Sequence, residues 1–135
     1  MKKYKGNHFL IFLFFALMTI VYCSSYQFNF PENTEKDKYS EADYVKEYCD
    51  GQIEYRLPDQ TRVDCLTEEY AIEFDWAKKW AESIGQSLYY SKMTGKKPAT
   101  AIIIKSPSDR KYIDRIKKVD GNITVFEIKS KDFKY

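Results

Sequence analysis

The first 25 residues limit what the rest of the chain can fold into. Three lysines lie within the first five residues, and an apolar run from Phe9 to Cys23 follows, interrupted only by Thr19. A basic start, an apolar run shorter than the roughly 20 residues of a spanning helix, and small residues after it are typical of a secretory signal peptide. We therefore predict an exported protein, periplasmic or secreted, whose residues 1–25 are the leader. The alternatives are an uncleaved membrane anchor and a lipid-modified Cys23.

Without this leader the chain has the length of one small domain, since about 100 residues are needed for a single hydrophobic core. The leader contains the only histidine, His8, so the remaining chain cannot form Ser-His-Asp triads, Cys-His dyads or histidine-rich zinc sites. Removing it also changes 22 basic and 20 acidic residues into 19 and 20, a net charge of −1, which argues against a generally cationic nucleic-acid-binding domain. Cys49 and Cys65 remain, either as a disulfide formed in an oxidising compartment or as two buried thiols.

Hydrophobic periodicity predicts eight elements in the order α-β-β-β-α-β-α-β. Residues 26–39 form a polar linker, and the tight turns between the first three strands indicate an antiparallel meander. The fourth strand contains an apolar run that suits burial on both faces. The predicted bounds are a helix at 40–49, strands at 53–57, 61–66 and 70–75, a helix at 76–93, a strand at 99–104, a helix from residue 106, a strand at 123–128 and a polar, frayed tail at 129–135.

The first strand and the long helix carry further sequence signals. The first strand alternates apolar and charged residues, as half-buried strands do. The long helix repeats apolar residues with a 3.6-residue period and has Gly95 where a C-terminal cap is expected. Its predicted apolar face consists of Trp76, Ala77, Trp80, Ala81, Ile84 and Leu88.

Three carboxylates are placed where the predicted sheet brings them together. Asp64 lies in the middle of an otherwise apolar strand, where an unpaired carboxylate is costly to bury. Glu73 and Asp75 alternate on the next strand, so both project from one face, near Asp64 across the hairpin. Mg²⁺ or Mn²⁺, which prefers oxygen ligands, would relieve the repulsion among the three. The alternative is an exposed polar face of the sheet.

A polar stripe on the following helix adds candidate site residues. At about 100° per residue, Lys79, Ser83, Gln86 and Tyr90 fall on one face. Lys79 could orient a water or stabilise charge on a phosphate, and Gln86 and Tyr90 could hold a substrate backbone or Lys79 itself. The alternative is a solvated flank of the helix.

These residues resemble the PD-(D/E)XK nuclease superfamily over residues 40–128. That family has an αβββαβ core of the restriction-endonuclease-like α/β fold, a mixed sheet flanked by helices. Its aspartate on the second strand is matched by Asp64, and the acidic residue of its third-strand Glu-x-Lys motif by Glu73. Its helical Gln-x-x-x-Tyr motif is matched by Gln86 and Tyr90. The resemblance implies Mg²⁺- or Mn²⁺-dependent hydrolysis of DNA or RNA, with metal held by Asp64, Glu73 and Asp75.

The chain departs from the family at one position, because Asp75 stands where the family has its lysine. The resemblance makes Lys79 the candidate for a lysine moved onto the helix, and Lys78 a weaker one, since it projects about 100° away. A further acidic ligand remains open among Glu41, Asp43, Glu47 and Glu54. The alternative function is that of a catalytically inactive relative, an envelope or secreted binding protein with a tyrosine-rich surface.

Overall fold

A computed structural model describes residues 38–135. The predicted leader, His8 and residues 26–37 of the predicted linker lie outside these residues. Within the described part, no helix is both long and apolar enough to cross a membrane.

The described elements follow the predicted order. A 3₁₀ turn at Ala77–Lys79 precedes the second helix, and another at Pro107–Asp109 precedes the third. The elements are α1 (Glu41–Tyr48), β1 (Gln52–Arg56), β2 (Arg62–Leu66), β3 (Tyr70–Trp76), α2 (Trp80–Thr94), β4 (Lys97–Ile104), α3 (Arg110–Val119) and β5 (Thr124–Lys129).

The five strands form one mixed sheet in the order β1-β2-β3-β4-β5. The pairs β1–β2 and β2–β3 are antiparallel, which confirms the meander, whereas β3–β4 and β4–β5 are parallel. Strand β4 is buried from Ala99 to Ile104, as expected for a central strand covered on both faces. The protein is therefore an α/β fold.

Helix α1 covers one face of the sheet. Ser40 precedes the helix, and its backbone N–H and hydroxyl both donate to the Asp43 carboxylate, so the helix begins with a capping box. Tyr44 and Val45 then pack on Cys65, Phe74 and other residues of a core cluster. A disulfide between Cys49 and Cys65 joins the end of α1 to β2, so the disulfide alternative is the correct one.

Helices α2 and α3 cover the opposite face. Isoleucines from α2, α3 and β4 form a second cluster, and Gly95 ends α2 in the left-handed conformation at φ 71°. The predicted apolar face of α2 is wrong in part: Ala81 and Leu88 are exposed. Small side chains, Ser83 and Ser87, take the buried positions instead.

Two further predictions are corrected. Strand β1 is exposed along its whole length rather than half-buried, because it is an edge strand with neither face covered. The C-terminal tail is not frayed: Phe133 packs against the second cluster, and the Lys134 N–H donates to the Lys105 carbonyl at 2.8 Å.

Candidate active site

An acidic pocket of about 240 Å³ lies where α1, β1, β2, β3 and α2 meet. It contains Lys79 and Gln86 together with six carboxylates, so its formal charge is strongly negative. Five of the predicted site residues are thus brought to one place. The six carboxylates are Glu41, Glu54, Asp64, Glu73, Asp75 and Glu82.

Asp64 is held at the edge between β2 and β3. The two strands are in register at Cys65–Ile72 and Leu66–Ala71, and beyond that point the Phe74 N–H donates to the Asp64 carboxylate at 2.9 Å. The side chain thereby takes over a hydrogen bond that a backbone carbonyl would otherwise accept. Burial raises the pKa of Asp64 to about 6 against this hydrogen bond, and the nearby charges of Glu54 and Glu41 raise it further.

Glu73 and Asp75 are buried without full compensation. Their exposed fractions are only 6% and 3%, yet Oε2 of Glu73 and Oδ2 of Asp75 have no hydrogen-bond partner among the described residues. Burial raises the pKa of Glu73 to about 9, and the charges of Asp64 and Asp75 add to the effect. Burial also raises the pKa of Asp75 to about 7, with Glu41 adding to the rise and Lys79 opposing it. Neither carboxylate is therefore an inert polar surface group.

Lys79 is the cation of the pocket. It lies on the 3₁₀ turn that follows β3, and its Nζ is 3.0 Å from Oε1 of Glu41 and 3.5 Å from Oδ1 of Asp75. The hydrogen bond to Glu41 raises its pKa, so it stays charged. Lys78 is exposed and does not line the pocket, as the helical spacing predicts.

The helical motif lies beside the carboxylates. Gln86 lines the pocket, and Tyr90 is buried one turn further along α2. Burial raises the pKa of Tyr90, and the charge of Glu73 adds to the rise. Tyr90 thus lies within electrostatic range of Glu73 without lining the pocket itself.

Two of the four further acidic candidates lie in the pocket. Glu41 and Glu54 line the pocket, whereas Asp43 caps α1 and Glu47 pairs with Lys131 at 2.7 Å. Glu82 also lines the pocket and is not among the residues predicted from the sequence. Its position three residues after Lys79 could have indicated it, because this spacing places both side chains on nearly the same side of a helical turn.

Glu54 carries a local backbone strain. Its φ of 56° is unusual for a residue with a side chain, and the pairs Ile53–Cys65 and Tyr55–Val63 place it opposite Asp64. Such conformations cost about 1–3 kcal/mol and cluster at functional sites. The strained residue Glu54 is thus one of those that line the pocket.

The chemistry of the pocket suits a hard divalent cation, because its donors are carboxylate oxygens and two of them lack partners. Within residues 38–135, however, no group of three or more Asp, Glu, Cys or His side chains is arranged to hold a metal ion. Comparisons with protein-family models, curated proteins and solved structures find no match to this chain.

Proposed function

We propose that this protein is an exported nuclease of the PD-(D/E)XK type, which hydrolyses phosphodiester bonds of DNA or RNA with Mg²⁺ or Mn²⁺. The order α1-β1-β2-β3-α2-β4 and the change from antiparallel to parallel pairing at β3 support a restriction-endonuclease-like core. The positions of Asp64, Glu73 and Gln86 in one pocket support the assignment of the motif residues.

One observation carries this proposal: two almost fully buried carboxylates, Glu73 and Asp75, have oxygens without partners beside a charged lysine. Burying unpaired carboxylates destabilises a fold. Perturbed carboxylates in a pocket are typical of functional sites, and a bound cation would offset their repulsion.

Each residue has a role in this reaction. Asp64, Glu73 and Asp75 would hold the cation, which when bound lowers the pKa of a water and neutralises charge on the phosphate. Lys79 would orient the attacking water or bind a non-bridging phosphate oxygen, and Glu41 positions its ammonium group. Gln86 would contact the substrate backbone, with Tyr90 one turn further along α2.

The contact between Lys79 and Asp75 bears on the departure from the family motif. Lys79 Nζ lies 3.5 Å from the carboxylate that replaces the family lysine. A lysine four residues further along the chain therefore brings its charge to the same place. This supports Lys79 as the functional lysine.

Export is supported by the Cys49–Cys65 disulfide, since disulfides form and persist in oxidising compartments. The leader pattern and the disulfide are independent features of the chain, and both favour a periplasmic or secreted protein or one held at the membrane by its N-terminal segment.

The test compares wild-type protein with Asp64→Asn, which keeps the shape of the side chain. We expect Mg²⁺- or Mn²⁺-dependent cleavage of labelled DNA or RNA to fall about 100-fold or more, because the lost charge weakens cation binding. Calorimetry should show Mn²⁺ binding to wild type that the variant loses. Asp132→Asn, which alters an exposed aspartate in the tail, is the control. Wild-type protein that neither binds Mn²⁺ nor cleaves nucleic acid would contradict the proposal.

A second candidate function is that of a catalytically inactive binding protein. A groove of about 790 Å³ lies on the α1 side of the sheet, with Ile72, Phe74 and Ile128 in its floor. Asp50 and Glu68 lie at its rim, so its charge favours a peptide that alternates apolar side chains with Lys or Arg. Tyr48 and Tyr70 also line the groove, and a tyrosine-rich surface is what the sequence predicts for a binding protein.

This candidate is tested with a labelled peptide of alternating Phe and Lys. We expect micromolar binding that Phe126→Ser abolishes, because Phe126 lines the groove and is 40% exposed. A peptide of alternating Phe and Glu is the control. Equal binding of both peptides, or of neither, would exclude the groove as a specific site.

A further inference from the structure

Charge is divided unequally between two parts of the described chain. Residues 38–76 contain four Lys or Arg and eleven Asp or Glu, a formal charge of −7. Residues 77–135 contain fourteen Lys or Arg and six Asp or Glu, a formal charge of +8. The near-neutral total therefore conceals a strongly basic part, and a basic surface is where a polyanion would bind.

Much of this positive charge is on α3. Its exposed side chains include five that are basic and one, Asp114, that is acidic. Arg110 pairs with Glu127 of β5, with Nη2 at 2.7 Å from Oε1. At about 100° per residue, Lys111, Arg115 and Lys118 share the face opposite the buried residues. We call these three the basic face of α3.

Aromatic rings lie beside two members of this face. The Arg115 guanidinium lies 5.6 Å from the ring centre of Trp80 and 5.1 Å from that of Tyr112. Lys111 Nζ lies 5.0 Å from the Tyr112 ring centre. Cation–π contacts of this kind orient a charged group while leaving its donors available.

Helix α3 lies next to two elements that line the acidic pocket. Helix α3 packs against α2 and against the 3₁₀ turn that carries Lys78 and Lys79. Trp80, which contacts Arg115, directly follows Lys79 in the chain. Arg115 thus contacts the residue next to Lys79, which meets Asp75 in the pocket.

We propose that the basic face of α3 binds the phosphate backbone of a nucleic acid and leads it to the acidic pocket. Its purpose rests on the proposed nuclease function, but the binding itself requires neither a cation nor cleavage. Phosphate contacts from Lys and Arg supply most sequence-independent affinity for nucleic acids. A pocket lined by carboxylates repels a polyanion, so a basic surface beside it is needed to hold the substrate.

An anionic membrane is the other polyanionic surface that a basic helix can bind. Membrane-surface helices pair a basic face with large apolar side chains that enter the lipid. On α3 the isoleucines Ile113 and Ile116 are buried in the core, and Val119 is the large apolar residue exposed in this helix. The surface of α3 therefore favours nucleic acid.

The test is fluorescence anisotropy with labelled single-stranded and duplex DNA and RNA of about 20 nucleotides, in EDTA, over a salt series. The variant Lys111→Gln/Lys118→Gln removes two positive charges. We expect its affinity to fall about tenfold and the slope of log affinity against log salt to decrease by about 1.5, because two phosphate contacts are lost. Lys38→Gln/Lys46→Gln makes the same charge change on exposed residues of the acidic part and should bind within about twofold of wild type.

The outcomes separate this proposal from the nuclease function. In EDTA, Asp64→Asn should bind nucleic acid at least as tightly as wild type, because it removes one carboxylate from the pocket, while losing metal-dependent cleavage. A Lys111→Gln/Lys118→Gln variant with wild-type affinity and salt slope would overturn the role of α3. That result would not contradict the proposed nuclease function, which is tested by metal-dependent cleavage. Wild-type protein that sediments with phosphatidylglycerol vesicles and binds no nucleic acid would also overturn it.

Discussion

The two faces of β3 bury side chains of opposite chemistry to almost the same extent. Ile72 and Phe74 are 8% and 3% exposed on the α1 side, and Glu73 and Asp75 are 6% and 3% exposed on the other. Burial of the apolar pair stabilises the fold, whereas burial of the acidic pair opposes it. One strand therefore combines structural support with a site whose carboxylates destabilise it.

The helices that cover these faces differ accordingly. Helix α1 places Tyr44 and Val45 on the apolar face and is joined to the sheet by the disulfide. Helix α2 places Ser83 and Ser87 in its buried positions, and the Ser83 hydroxyl has no partner among the described residues. The α1 side is thus packed with apolar side chains, and the α2 side also buries polar ones.

Truncating Phe74, an apolar side chain on the α1 side of β3, should have the largest effect on stability. We expect Phe74→Ala to lower the free energy of unfolding by about 3–5 kcal/mol, because it deletes a buried ring from the cluster around Tyr44 and leaves a cavity. Urea unfolding followed by circular dichroism measures the change. Phe126→Ala is the matched control and should cost about 1 kcal/mol or less, since Phe126 is 40% exposed. Equal losses in both variants would show that the two positions are equally buried.

Reducing the disulfide should have the next largest effect on stability. The disulfide lies on the same side of the sheet, the one that α1 covers. Cys49 and Cys65 are 16 residues apart, and a crosslink closing a loop of that length stabilises by about 3 kcal/mol. We expect reductant to lower the stability of wild type by about that amount. Cys49→Ala/Cys65→Ala should begin at a similar lower value and not respond to reductant. A wild-type protein insensitive to reductant would argue that α1 is held by packing alone.

The sequence predicts the elements better than it predicts the burial of individual residues. Period and turn residues place every strand and helix of the described part in the correct order, because these signals are local. Exposure of β1 and of Leu88 depends on which neighbours cover them, and no local pattern contains that information.

The same limit applies to the site. Alternation correctly places Glu73 and Asp75 on one face, and of the two candidate lysines Lys79 lines the pocket and Lys78 does not. Glu41 was one of four open candidates because its approach to Lys79 spans 38 residues of sequence and depends on how α1 packs on the sheet. The left-handed conformation of Glu54 has no glycine or asparagine signal that would announce it.

The smallest predicted effect concerns the acidic face and is a loss of stability as the pH rises. Burial raises the pKa of Glu73 from 4.5 to about 9, so between these values the folded state binds a proton that the unfolded state has lost. Stability without metal should therefore fall as pH rises through this range. Asp64 and Asp75, whose pKa values are raised to about 6 and 7, contribute mainly below pH 7.

The variant Glu73→Gln isolates the part of the stability loss above pH 7 that is due to Glu73. In EDTA we expect wild type to lose roughly 1–3 kcal/mol between pH 7 and pH 9, and the variant to be nearly flat over that interval, because an amide does not titrate. Urea unfolding at several pH values measures both. Glu68→Gln, at an exposed position of the turn after β2, should keep the wild-type slope. A wild-type protein more stable at pH 9 than at pH 7 would mean that Glu73 is ionised in the folded state, and the two faces of β3 would then differ less than their burial indicates.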